Sequence, residues 1–158
     1  MEKIVFVCLG NICRSPMAEF IMKEMVNKAG LASTVHIESR ATSSWEDGNP
    51  VHSGTQKQLE EHQITFDEQK RSQKMKREDY YAFDKIIAMD EANMEALKKR
   101  APEKTSQKIG MLLDQGVPDP WFTGDFQETY QLIKSGCESL LHEMIEIREK
   151  KSKKYGLM

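Results

Sequence analysis

At 158 residues, 39% of them hydrophobic and 30% charged, the chain is long enough to bury one respectable core and short for two. Its 23 basic and 25 acidic residues leave a net charge of -2, which argues against nucleic acid or an anionic membrane as partner, and no apolar run approaches a membrane span. Three cysteines, an odd number without a Cys-x-x-Cys pair, indicate neither a disulfide framework nor a zinc site; with no secretory layout at the N-terminus, they lead us to expect a cytoplasmic, monomeric single domain over residues 1–158.

The first element is an apolar run, Ile4-Val5-Phe6-Val7, whose β-branched and aromatic character suits a strand buried on both faces of a parallel sheet. A loop opening with Cys8 follows. Ser15-Pro16 then reads as a helix start, Ser at the N-cap and Pro at N1, with Glu19 in the first turn. Met17, Phe20, Ile21 and Met25 share one face of this helix, and Gly30 ends it. Val35 to Ser39 alternates as a second strand, and Arg40 to Pro50 is a long loop carrying Trp45. Weaker helical patterns span Ser53 to His62 and Arg77 to Tyr81.

Lys85 to Met89 is a third buried strand closed by Asp90, and Glu91 to Arg100 is a helix with its charges arranged as the dipole prefers. Ile109 to Leu113 is a fourth strand, and Asp114 to Asp125 a loop rich in Pro and Gly. Apolar residues from Phe126 through Tyr130, Ile133, Cys137 and Met144 recur at helical spacing, predicting a last helix to about Arg148 with a fraying basic tail, Lys150 to Lys154. Strand and helix alternate throughout. The expected fold class is therefore α/β, a parallel twisted sheet with helices on both faces, and ligands in such sheets lie beyond the strand C-termini.

The chemistry concentrates where the first strand ends. Backbone N–H groups of the loop and the N-terminus of the helix converge to make a nest for a tetrahedral dianion, with Cys8 at its mouth. Helix dipole, loop amides and Arg14 all favour thiolate over thiol there, and a thiolate is the nucleophile. Arg14 offers a planar fork able to hold two phosphoryl oxygens together. The loop after the fourth strand puts Asp119, stiffened between Pro118 and Pro120, on the same sheet edge, where it is the candidate proton donor for a leaving group.

The run Cys8-Leu9-Gly10-Asn11-Ile12-Cys13-Arg14-Ser15-Pro16, together with Pro118-Asp119-Pro120-Trp121-Phe122, resembles the low molecular weight protein tyrosine phosphatases. That resemblance implies a four-stranded sheet in the order 2-1-3-4 and hydrolysis of aryl phosphate monoesters through a cysteinyl phosphate, with no cofactor and no metal. It implies Cys8 as nucleophile, Arg14 and the loop amides of Leu9, Gly10, Asn11, Ile12 and Cys13 as a clamp, and Asp119 as acid, then base. Ser15 is expected to hydrogen-bond the sulfur, and Ser39 matches a serine that binds Asn11. Trp45, Trp121 and Phe122 would wall a slot deep enough to admit only a phenyl phosphate, so that partners are phosphotyrosine proteins or peptides and small aryl phosphates, with inorganic phosphate as product.

Two departures from the family's pattern stand out. Trp121 and Phe122 replace a pair of tyrosines, which removes phosphorylation there as a control. A family histidine in the connector after the second helix has no counterpart, and Glu68, Gln69 or Lys70 falls at its place. Cys13 is positioned to trap an oxidised Cys8 as a disulfide, and Cys137 reads as core. Rival functions remain on the same fold: arsenate reductase, which needs further cysteines, and phosphoarginine phosphatase, where Thr tends to stand in place of Ile12. A non-catalytic phosphotyrosine-binding module is the rival outside the enzymes. A basic run from Lys70 to Arg77 would either steer acidic peptides or form a solvated face.

Overall fold

A strand flanked by partners on both sides has nowhere to place polar side chains, and β1 (Glu2–Cys8) is such a strand: Ile4 to Cys8 are all buried. The computed structural model describes residues 1–154. In it β1 pairs with β2 (Val35–Ala41) and β3 (Lys85–Ala88), and β3 pairs with β4 (Ile109–Met111), all parallel, in the order β2-β1-β3-β4. The pleat then divides β1 between two cores. Ile4, Phe6 and Cys8 join the side built with α1 (Arg14–Lys28), α2 (Ser53–Glu61) and α6 (Phe126–Lys154). Val5 and Val7 join the side closed by Tyr80 of α3 (Arg77–Ala82) and Leu97 of α4 (Glu91–Arg100).

Most expected elements are present, and the differences have local causes. Helix α1 starts at Arg14 with Cys13, not Ser15, at the N-cap. Ser15 is taken up by Cys8 Sγ, to which its own N–H donates at 3.4 Å, so it cannot serve as a cap. Glu19 consequently lies beyond the first turn and is turned into the interior, 4% exposed. The other end of α1 behaves as Gly30 implies: at φ 74°, its N–H bonds Asn27 O and that of Leu31 bonds Val26 O, the two bonds of a Schellman cap.

Strand β4 ends at Met111, short of Leu113; the Leu112 N–H still bonds Ala88 O at 3.0 Å while its side chain packs on Gly136 of α6. The loop from Asp114 to Asp125 holds a further turn of helix, α5 (Pro120–Thr123), capped by Asp119. The tail Lys150 to Lys154 does not fray; α6 continues through Lys154, with Lys151, Lys153 and Lys154 set against the negative end of its dipole.

Leu112 leaves no room for a further atom on Gly136. A Cβ on Gly136 would stand 2.5 Å from Leu112 Cγ. Gly136→Ala is therefore expected to lower stability by about 1–3 kcal/mol through overpacking, even though alanine gains about 1 kcal/mol in helix propensity. A urea midpoint equal to or above that of the parent would refute this.

Candidate active site

Accounting for carbonyls explains the shape of the loop between β1 and α1. Cys8 O accepts Thr42 N at 2.9 Å, Leu9 O accepts Ser43 Oγ at 2.8 Å, and Gly10 O accepts Ser72 Oγ at 2.7 Å. Ile12 O accepts His52 N at 2.8 Å, and Cys13 O accepts Thr55 Oγ1 at 3.1 Å. All five carbonyls are drawn outward onto neighbouring segments. In a trans peptide the following N–H points the opposite way, so these amides turn toward the hollow of the loop. Asn11, at φ 56°, supplies the left-handed residue the reversal requires.

Cys8 Sγ lies at the base of this hollow. It accepts the N–H of Asn11 at 3.3 Å and of Ser15 at 3.4 Å, and is 3.1 Å from Ser15 Oγ. Two backbone N–H groups thus donate to the sulfur, and the Ser15 hydroxyl, which also reaches Arg40 O at 3.3 Å, lies against it. Asn11 and Ser15 are themselves buried beneath the loop, 1% and 0% exposed, so their side chains steady the sulfur instead of lining the slot above it. Asn11 Nδ2 donates to Ser15 Oγ at 2.8 Å and to Ser39 Oγ at 3.0 Å, which brings in Ser39 as expected.

Arg14 spans the site. Its Nη1 donates to Asp90 Oδ2 at 2.7 Å and to Val117 O at 2.9 Å, and its Nη2 reaches Asp119 Oδ2 at 3.4 Å. Burial opposes the charged guanidinium, but Cys8, Asp90 and Asp119 outweigh it and push its pKa above the ordinary value. Asp119 has a second duty: its Oδ1 accepts Trp121 N at 3.0 Å and caps α5. Burial, reinforced by charge on Cys8 and Asp119, pushes the Cys13 thiol strongly up, and burial does the same to Cys137. Both remain free thiols, as does Cys8.

Above Cys8 and Arg14 opens a slot of about 260 Å³ whose walls include Leu9, Ile12, Trp45, Trp121 and Phe122. Its rim is unusually apolar for solvent-facing surface: Trp45 is 78%, Trp121 57% and Phe122 77% exposed. The structure thus gathers Cys8, Gly10, Cys13, Arg14 and Asp119 with the three aromatics around one opening. It also adds residues that the sequence reading did not single out. Asp90, noted only as the end of a strand, caps α4 through Oδ1 and holds Arg14 through Oδ2. An Asp just past a strand at the ligand edge was the available signal. Glu46 also lines the slot, beside Gly10. No local signal marked it, nor the side chains that tie the loop carbonyls. Of the three residues where a histidine was missed, Glu68 and Gln69 are exposed and Lys70 turns inward.

Comparison with known proteins yields one family and consistent neighbours. The sequence model of a family described as low molecular weight phosphotyrosine protein phosphatase matches residues 3–153. The low molecular weight protein-tyrosine-phosphatase YfkJ of Bacillus subtilis is 45% identical over 148 residues, covering 89% of this chain and 94% of that protein. The crystal structure of the low molecular weight protein tyrosine phosphatase from Streptococcus pyogenes superposes with a TM-score of 0.86 at 50% identity, covering 90% of this chain and 93% of that one. The structure of a Drosophila arginine phosphatase is also similar, with a TM-score of 0.83 at 31% identity over 91% of this chain and 98% of that one.

Two outcomes follow from the geometry. At neutral pH iodoacetamide should label Cys8 alone, with Cys13 and Cys137 modified only on unfolding, because their raised pKa values keep them protonated; peptide mapping by mass spectrometry checks this, and early labelling of Cys13 would contradict it. Asp90→Ala should lower kcat/KM by about 10- to 100-fold by releasing Arg14. Asp90→Asn, which can still cap α4, should lose activity with little loss of melting temperature; full activity in both variants would remove Asp90 from the site.

Proposed function

This chain belongs to the low molecular weight phosphotyrosine protein phosphatase family, and from that premise we propose that it is a protein tyrosine phosphatase working through a cysteinyl phosphate. The observation that carries the mechanism is the slot itself: a sulfur at its base held by two backbone N–H groups and the Ser15 hydroxyl, and a carboxyl, Asp119, on its wall bound to the Arg14 guanidinium.

A phosphoryl group entering the hollow meets inward N–H groups, and Arg14 turns its donors onto two of the oxygens. That contact replaces the Arg14–Asp119 bond and frees the carboxyl. The Cys8 thiolate attacks phosphorus as the P–O bond to the phenol breaks, and Asp119, which takes up a proton from the entering phosphate monoester once Arg14 releases it, delivers that proton to the departing oxygen. Asp119, now a carboxylate, takes a proton from a water that attacks phosphorus in turn. Cys8 leaves as the thiolate, again beside the two N–H groups and the Ser15 hydroxyl, and inorganic phosphate is released. Arg14 and the loop amides stabilise the charge on the equatorial oxygens in both steps. No step calls on a metal or a cofactor.

The aromatic rim supports a flat aryl substrate: Trp45, Trp121 and Phe122 can hold a phenyl ring at the depth its para oxygen needs to reach sulfur. Trp121 and Phe122 also leave this segment without a phosphorylatable tyrosine, so control by phosphorylation there is not available. We infer a monomer acting in the cytoplasm, a compartment in which three unpaired thiols stay reduced. Among the described residues no helix is long and apolar enough to cross a membrane.

A second reading, phosphoarginine hydrolysis, is favoured by the likeness to the arginine phosphatase and opposed by Ile12 at the slot wall. Phosphotyrosine should be turned over with a higher kcat/KM than phosphoarginine, and the reverse order would select the second reading. Nitrophenyl phosphate hydrolysis should survive EDTA and vanish in Cys8→Ser. Asp119→Ala should lower kcat on phosphotyrosine by about 10²- to 10³-fold, and by less on nitrophenyl phosphate, whose leaving group needs the proton less. Equal losses on both substrates would deny Asp119 the role of acid.

A further inference from the structure

Trp121 forms one wall of the slot from a helix of only four residues, with more than half of its surface, 57%, facing solvent. A side chain so exposed keeps one direction only if a neighbour holds it there. Among the described residues its aromatic partner is His52, the N-cap of α2: the ring centroids are 5.7 Å apart and the planes cross at 83°, an edge-to-face pair. His52 takes no part in the mechanism above. Its ring is nevertheless held by two further contacts. Nδ1 accepts the N–H of Gly54 at 2.9 Å, which leaves the proton of the neutral imidazole on Nε2. The ring also stacks on Phe126, the first residue of α6, with centroids 4.9 Å and planes 20° apart. Phe126 in turn lies against the backbone of α2, where a Cβ on Gly54 would stand 2.6 Å from its ring.

The main chain of the same residue serves the other half of the slot. His52 N–H donates to Ile12 O at 2.8 Å, one of the tethers that turn the loop amides inward, and Thr55, from the helix that His52 caps, holds Cys13 O at 3.1 Å. The Cys8 loop and the aromatic wall therefore meet at one residue, its backbone fixed to the cradle and its ring to Trp121. Neither contact passes through Arg14 or Asp119. The separation between the place for phosphorus and the place for an aromatic ring is set across His52. That separation matters to an aryl phosphate, whose ring begins one oxygen away from phosphorus, and not to free phosphate, which has no ring to place.

We propose that His52 is a positioning residue for the aryl half of the substrate: holding Trp121 through its ring and Ile12 through its N–H, it sets the distance from the phosphate cradle to the aromatic wall. The inference deepens the aryl phosphate reading and rests on it for what the slot takes. His52 stands outside the slot, so its ring acts through Trp121. Removing the ring while a capping acceptor is kept leaves the cradle intact, because the Ile12 tether is a backbone bond, and frees Trp121 to swing away from a bound aryl group. Affinity for the aryl group then falls while affinity for phosphate stays.

Titration calorimetry with benzylphosphonate, an aryl probe that cannot be hydrolysed, and with inorganic phosphate tests this without turnover. His52→Asn, whose amide oxygen can still cap α2, should weaken benzylphosphonate binding by about three- to tenfold, the worth of one aromatic pair, and leave phosphate binding within about twofold. His52→Phe, which restores a ring without the capping acceptor, should recover most of the benzylphosphonate affinity at a lower melting temperature. In a Trp121→Ala background, where the wall is already gone, His52→Asn should add little further loss. Should His52→Asn fail to fold, His52→Ser, which also keeps a capping oxygen, takes its place. Parental benzylphosphonate affinity in the ring-removing variant, equal losses for both ligands, no recovery in His52→Phe, or an undiminished loss in the Trp121→Ala background would overturn the proposal. A parent that binds both probes but hydrolyses no aryl phosphate would instead count against the phosphatase reading and leave the binding result for His52 standing.

Discussion

The site depends first on where the carbonyls of residues 8 to 13 go. Backbone polar groups in a buried loop must find partners, and here Thr42, Ser43, His52, Thr55 and Ser72 supply them from outside. Satisfying the acceptors on the outer face is what leaves donors on the inner one. The anion cradle is thus produced by segments 34 to 62 residues away in sequence as much as by the loop that forms it. Asn11 closes the arrangement, its left-handed backbone turning the chain and its amide locking Ser15 and Ser39 underneath.

Arg14 couples this cradle to the rest of the molecule. Being 2% exposed, it would be costly as an isolated charge, and Asp90, Asp119 and the sulfur offset that cost. The same contacts give it direction. Asp90 comes from the end of β3 and Asp119 from the loop after β4, so one guanidinium joins three strand ends of a parallel sheet. Val117 adds to the link, its carbonyl bound by Arg14 and its N–H bonding Met89 O. Asp119 is held at a distance from the loop that carries the sulfur without being attached to it, which lets the arriving phosphoryl group displace it.

Two faces of the sulfur serve different needs. Toward the slot, apolar walls exclude water and admit a ring; beneath it, polar side chains run inward to a buried ion pair, Glu19 and Lys70. Such a pair contributes little to stability after desolvation, and an apolar replacement would serve packing at least as well.

Local signals in the chain already determined a good deal. The apolar run before Cys8, the alternation of strands and helices, and the Cys8 to Ser15 and Asp119 to Phe122 motifs defined the α/β class, the strand count and the residues around the slot, because each is written in contiguous residues with a period or a spacing. The Schellman end of α1 followed from Gly30 for the same reason. Helix starts were less legible: Ser15 has the chemistry of a cap, yet the sulfur seven residues earlier claims its donors. The inward turn of Glu19 and Lys70, the bond from Asp90 to Arg14 and the outward tethering of the loop carbonyls were decided only in three dimensions. They join groups 28 to 76 residues apart, and the partner of a buried charge or a backbone carbonyl is set by which strand ends the sheet order brings together.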